Sequence, residues 1–272
     1  MIYFVAIVAG LAGILFGFDE GVIAGALGFL REAFDIAPGA EGFMTAAVPL
    51  GALFGAVVAG RAAERYGRRT SLLAAALMFV AGAVISSQIT SVWMLSIARL
   101  ILGFAVGVAA LVAPLYIAES APARRRGMLV SIYQLSVTLG ILGAYVANYA
   151  LGEDWRTMFL LGAVPGVALF AGMLCLSDTP RWLAGRRGAA PARAALARLH
   201  GVPRDDPEVE RELERIMAAE ALSHGGRGAR WRELLDQNVR PALVVGVGLF
   251  ALQQFSGINA VIYYAPTVFQ EA

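Results

Sequence analysis

Lysine is missing altogether: the 22 basic residues among 272 are all arginine, a bias for which the sequence offers no structural reason. Charge of either sign is sparse. Only 15% of residues are charged and 58% are hydrophobic, where a soluble domain has about a quarter charged and ~45–50% apolar. That excludes an ordinary soluble globular domain. The formal net charge of +2 is too small to suggest a nucleic-acid partner. The lone Cys175 excludes an intrachain disulfide. His200 and His224 stand far apart without ligand-like neighbours, so no metal site is expected. There is no Ser/His/Asp grouping and no Gly-Lys-Ser/Thr phosphate loop, so neither an enzyme nor a cofactor is expected. The first apolar run has no basic region before it and carries "FDEG" within it, which excludes a signal peptide.

What fills the chain instead is long apolar runs. A membrane span needs about 20 mostly apolar residues. Runs of that kind lie near 2–30, 43–63, 70–90, 92–118, 127–151, 156–177 and 241–265. The arginines between them are not evenly shared. Arg61, Arg65, Arg68 and Arg69 sit at the second-to-third junction, and Arg124, Arg125 and Arg126 at the fourth-to-fifth. Twelve more fall between Arg181 and Arg240. These all lie on one side of an alternating path, which the positive-inside rule makes cytoplasmic. The chain is therefore expected to be an all-α, multi-pass cell-membrane protein with a cytoplasmic N-terminus. Its expected divisions are a six-helix membrane half (1–177), a cytoplasmic helical linker (178–240) and a seventh span (241–272).

The linker has helical signals of its own. "DDPEVERELERIMAAEAL" opens with Asp206 as a cap and Pro207 at the first helical position, and runs toward Gly225. Glu208–Arg211 and Glu212–Arg215 have the spacing of helix-surface ion pairs. "AAPARAALARLHG" predicts a shorter helix ended by Gly201.

Polar groups inside the apolar runs point to function. A carboxylate within a span costs about 2.5–3.5 kcal/mol, so Asp19 requires a partner or a task. Gly13, Gly17, Gly21 and Gly25 form one ridge suited to close helix contact, and Asp19 projects to the opposite side. Phe16 and Ile23 flank it. Glu20 projects about 100° away and is given a structural or interfacial role. Arg99, the arginine deep in "MLSIARLILGFAVGVAAL", is the natural partner of Asp19. Both lie roughly 9–15 Å from the outer end of their spans at about 1.5 Å per residue. The pair is either a permanent lock between helices or a proton switch, since protonation removes one of its charges.

The fifth run places Gln134, Thr138, Ile141, Tyr145 and Asn148 on one face, which fits a wet cavity or another helix rather than lipid. In the last run, Gln254 and Asn259 would stand about 140° apart on a straight helix. They share a groove only if the helix unwinds at "FSGIN". Amides there suit neutral polyhydroxyl ligands, because each carries donors and acceptors together. Tyr263 and Tyr264 fit an interfacial aromatic belt or a pocket wall.

Taken in order, "GILFGFDEGVIAGAL", "GRAAERYGRR", "ARLILGFAVG", "PLYIAESAPARRRG", "YQL", "DTPRWL" and "QQFSGIN…YY" resemble the sugar porter family of the major facilitator superfamily over nearly the whole chain. The resemblance implies a gating network of Gly60, Glu64, Arg65, Gly67, Arg68 and Arg69, joined by Glu119, Arg126 and Arg181. It implies Asp19 and Arg99 as the proton-coupling pair of symporting members. It also implies Phe16, Gln134, Gln253, Gln254 and Asn259 as sugar contacts. Ile141 departs from the pattern, standing where several members have a second glutamine. "SDTPRWL" departs too, with Asp178 where the family usually has glutamate. Members have twelve spans in two halves around a midplane site. This chain has counterparts of the first seven, so it is expected to be an N-terminal piece that needs the second half, or a complementary chain, to transport.

The resemblance therefore implies a carrier moving a monosaccharide or polyol across the lipid bilayer, with a proton. A facilitative uniporter and a non-transporting sugar sensor are the alternatives. Proton dependence separates the first alternative, and a signalling tail would mark the second.

Overall fold

A bilayer offers backbone N–H and C=O groups no partners, so spanning segments must satisfy their own hydrogen bonds as helices. The computed structural model follows that rule and describes residues 1–34, 36, 38–122, 124–224, 236–237 and 239–262. Among the described residues the elements are α1 (Ile2–Phe34), α2 (Pro38–Tyr66), α3 (Arg68–Ser87), α4 (Val92–Ser120) and α5 (Arg126–Leu151). Then come α6 (Trp155–Leu161), α7 (Ala163–Leu174), α8 (Pro180–Arg187), α9 (Ala189–His200), α10 (Pro207–His224) and α11 (Arg240–Phe255).

Seven stretches are long and apolar enough to cross a membrane, and each overlaps one of the expected runs. The sixth, Trp155–Leu174, is broken between α6 and α7 at Gly162. Pro165 has no N–H to donate to the Leu161 carbonyl, so the helical ladder lapses there. At that end Arg156 donates to the carbonyls of Ser87 and Ile89 at 3.0 and 3.1 Å. Those two bonds tie the sixth span to the end of the third, and the guanidinium also lies 4.3 Å from the Trp155 ring centroid.

The most extensive packing is α1 along α5 and α2 along α4. Small residues allow both approaches, because helices in lipid associate by close contact rather than by expelling water. A methyl group added at Gly17 would collide with the Val137 carbonyl of α5. One added at Gly103 of α4 would collide with the Val48 carbonyl of α2. The α1 glycine ridge therefore faces α5, and the opposite side of α1 is free to turn toward α4.

Helices α8 to α10 share a small core that includes Leu183, Leu196, Val209 and Leu213. Gly201 ends α9 in the left-handed region at φ 73°. Asp206 Oδ1 accepts the Glu208 N–H at 2.8 Å at the start of α10, as expected of its cap. The expected pairs Glu208–Arg211 and Glu212–Arg215 do not form. Packing of α9 on α10 offers other partners: Arg193 pairs with Glu210 at 2.8 Å and His200 with Glu212 at 3.1 Å. Arg211 donates to the Pro207 carbonyl at 3.0 Å. Intrahelical surface pairs contribute only ~0.2–0.5 kcal/mol, so neighbours displace them easily.

None of the residues of α11 is buried. Gly225, Tyr263 and Tyr264 lie outside the described residues.

Candidate functional site

The site begins with the two residues whose presence in a span needs explaining. Asp19 of α1 and Arg99 of α4 face one another, with Oδ2 and Nη2 3.9 Å apart and side chains 4% and 0% exposed. That is an ion pair but too long for a hydrogen bond. Arg99 Nε donates to the Met44 carbonyl of α2 at 3.2 Å, which fixes the stem of the guanidinium. Asp19 Oδ2 and both Nη atoms of Arg99 have no hydrogen-bond partner among the described residues. This contact holds the two charges together without a direct hydrogen bond between them.

The α5 face divides. Gln134 and Thr138 are exposed, and Ile141, Tyr145 and Asn148 are half-buried. Asn148 donates to the Gly21 carbonyl of α1 at 2.9 Å, so it serves helix packing rather than a cavity. Phe16 is half-buried on α1. Tyr145 donates to the Ile262 carbonyl at 2.8 Å and links α5 to the last span. That span is broken as its sequence predicts: α11 stops at Phe255, Gly257 has φ 71°, and helix resumes over 258–262. The break cancels the angular mismatch, and Asn259 Nδ2 reaches Gln254 Oε1 at 3.4 Å. Gln253, Gln254 and Asn259 are all exposed. The structure thus brings Gln254 and Asn259 together.

At the arginine-rich end, Gly60, Glu64, Arg68, Glu119, Arg181 and Glu220 line a cavity of about 630 Å³. Arg68 pairs with Glu119 at 2.8 Å, and Arg181 with Glu220 at 3.3 Å. Arg69 donates to the carbonyls of Met173 and Leu174, tying α3 to the end of the sixth span. The carbonyl of Glu64, rather than its carboxylate, takes part, accepting the Trp182 indole N–H at 2.9 Å. Arg65 lies over the Tyr66 ring. Arg65 and Arg126 form no ion pair among the described residues.

Of two further residues at this end, Asp178 stood out in the sequence only as a departure from the family pattern, and Thr179 not at all. Asp178 Oδ1 accepts the backbone N–H groups of Arg68 and Arg69 at 2.8 and 3.3 Å. It thereby caps α3 from a remote position, since the N-cap residue Gly67 has no side chain to do so. Gly67 at φ 95° is required twice over, because a methyl group there would also strike the Asp178 carboxylate. Burial pushes the Asp178 carboxyl above its usual range, against the pull of these N–H groups, that of Thr179 and the Arg68 charge. Thr179 Oγ1 donates to Glu119 Oε2 at 2.7 Å and accepts the Trp182 N–H at 3.3 Å. Threonine directly before Pro180 is an N-cap signal, and that signal would have found it.

Similarity to known proteins agrees with these features. The family model described as "Sugar (and other) transporter" matches residues 5–272. The galactose-proton symporter of Escherichia coli K12 is 40% identical over 274 residues, covering 100% of this chain and 58% of the symporter. The D-xylose transporter of Levilactobacillus brevis is 40% identical over 271 residues, with 98% and 58% covered. The chain thus spans 58% of the length of these curated relatives. Among solved structures, the partially occluded inward-open xylose transporter XylE of E. coli matches with a TM-score of 0.84 at 30% identity, covering 100% of this chain and 67% of that one. The proton:xylose symporter XylE bound to 6-bromo-6-deoxy-D-glucose matches at 0.85 and 31%, with 98% and 62% covered.

Proposed function

The chain belongs to the sugar porter family of the major facilitator superfamily, and from that premise we propose that it is the N-terminal part of a carrier moving a sugar or polyol together with a proton. The observation that carries the proposal is the buried Asp19–Arg99 contact at 3.9 Å. A buried charge stripped of its partner is costly, so the helices holding such a pair respond to its protonation.

In this reading Asp19 is ionised and faces Arg99 before a proton binds. A proton arriving from outside neutralises Asp19 and leaves Arg99 held by the Met44 carbonyl of α2. Helices α1 and α4 then no longer attract one another at that point. The sugar binds at Phe16, Gln134 and the amides of Gln253, Gln254 and Asn259, which offer donors and acceptors to neutral hydroxyls. Rocking of the two halves delivers sugar and proton inward, where Arg99 favours release of the proton from Asp19. Gly60, Glu64, Arg65, Gly67, Arg68, Arg69, Glu119, Arg126 and Arg181 form the cytoplasmic gate. The Arg68–Glu119 and Arg181–Glu220 pairs break and re-form as it opens and shuts. Such an orientation places the N-terminus in the cytoplasm, in agreement with the arginine distribution.

The test is Asp19→Asn in the whole open reading frame that contains this chain. Accumulation of sugar against its gradient is lost while sugar-for-sugar exchange persists. Undiminished accumulation in that variant overturns the proton role of Asp19.

A further inference from the structure

A second cavity at the arginine-rich end, of about 920 Å³, lies between α10 and the starts of α1 and α5. Glu119 and Arg181 border it as well as the gate cavity. Of its other charged residues, only Arg126 belongs to the proposed gate. Five arginines line it: Arg125 and Arg126 at the start of α5, Arg181 of α8, and Arg211 and Arg215 of α10. The last two are four residues apart and share one helix face, where like charges repel.

These guanidiniums are poorly neutralised. Arg181 pairs with Glu220 at 3.3 Å, but Arg125 donates to the neutral Tyr3 hydroxyl and Arg211 to the Pro207 carbonyl, both at 3.0 Å. Arg126 and Arg215 make no hydrogen bond or ion pair among the described residues. The lining acids are largely committed elsewhere. Glu119 gives one oxygen to Arg68 and the other to Thr179 Oγ1, and Glu212 faces His200 at 3.1 Å. Glu208 alone of the lining carboxylates has no ion pair among the described residues, against four arginines without a carboxylate. Helix α5 adds to the positive potential, because it begins here with no side-chain cap and no acid in its first turn. Leu115, Leu199 and Ile216 supply apolar lining beside the charges.

We propose that this cavity binds a phosphate ester, held by Arg126 and Arg215, with the unused N–H groups of Arg125 and Arg211 available to it. Guanidinium matches phosphate geometry and donates two parallel N–H···O bonds to it. A phosphate monoester carries close to two negative charges at neutral pH, so it offsets more of the surplus than a carboxylate does. The cavity has room for the esterified group, and the apolar lining suits its carbon skeleton. The arginine distribution puts this end in the cytoplasm. The phosphate therefore comes from a soluble ester or from the headgroup of an inner-leaflet lipid. Such binding is independent of whether a proton accompanies the sugar.

The experiment is calorimetric titration of glycerol 3-phosphate into the product of the whole open reading frame, held in phosphatidylcholine nanodiscs. Wild type is expected to bind it saturably. Arg126→Gln and Arg215→Gln are each expected to weaken binding about tenfold or more, the equivalent of one hydrogen bond to a charged group. Arg215→Gln leaves every gate residue in place, so its sugar uptake persists and shows that the carrier is intact. It decides alone if Arg126→Gln does not fold. The site also stands, with a lipid as its ligand, if glycerol 3-phosphate does not bind but phosphatidic acid in the nanodisc raises the thermal transition of wild type and not of Arg215→Gln. Neither response in wild type, or one that Arg215→Gln leaves unchanged, overturns the site.

Discussion

The Asp19–Arg99 pair makes an energetic claim that the protein's stability can check. Removing one member of a buried pair strands the other and costs about 3–5 kcal/mol, whereas replacing both with neutral groups is close to neutral. Arg99→Leu is therefore expected to lower the thermal transition in detergent far more than Asp19→Asn/Arg99→Leu does. Losses that simply add would mean the two side chains do not sense each other. Sequence reasoning reached this pair because intramembrane charge is expensive, and because counting residues from the span ends placed both at one depth. What it could not reach is the geometry that matters: a contact of 3.9 Å with three polar atoms unpartnered. It gave Glu20 a structural or interfacial role, with no sign of its burial in the bundle.

At the scale of elements, local signals were legible and distant ones were not. Gly257 between two amides announced the break in the last span, and the structure places it there at φ 71°. Gly257→Ala is expected to favour a continuous helix, separating Gln254 from Asn259 and weakening sugar binding in the complete carrier about tenfold, the equivalent of one lost hydrogen bond to a neutral group. Binding unchanged by that substitution would detach the break from the sugar site. The cap on α3 had no comparable signal. Its acceptor, Asp178, lies 110 residues from the Arg68 N–H it binds, and only the tertiary fold brings them together. Asp178→Ala should destabilise the protein by about 1 kcal/mol, as loss of an N-cap does, and Asp178→Asn, which keeps one acceptor oxygen, by less. Equal melting of all three proteins would deny the cap its role. Surface ion pairs on α10 were the reverse case: their spacing was plain, yet His200 of α9 took Glu212 and Arg211 turned to the Pro207 carbonyl.

Across the whole molecule, the amides of the last span and Gln134 of α5 are all exposed. The residues 1–272, reconstituted alone, are accordingly expected to give no sugar uptake above empty vesicles. Robust uptake would show that these residues suffice. The all-helical membrane class, the order of the spans and the membership of the family were all legible, because lipid forces spanning segments into apolar helices and the motifs recur in order. The coupling of sugar to protons is the claim on which the rest depends. It is tested most directly by adding sugar to lightly buffered, energy-depleted vesicles carrying the whole open reading frame and recording external pH. Symport predicts that the medium turns alkaline on addition of sugar, and that a protonophore abolishes the signal. Sugar entry at the same rate with no change in external pH would contradict it.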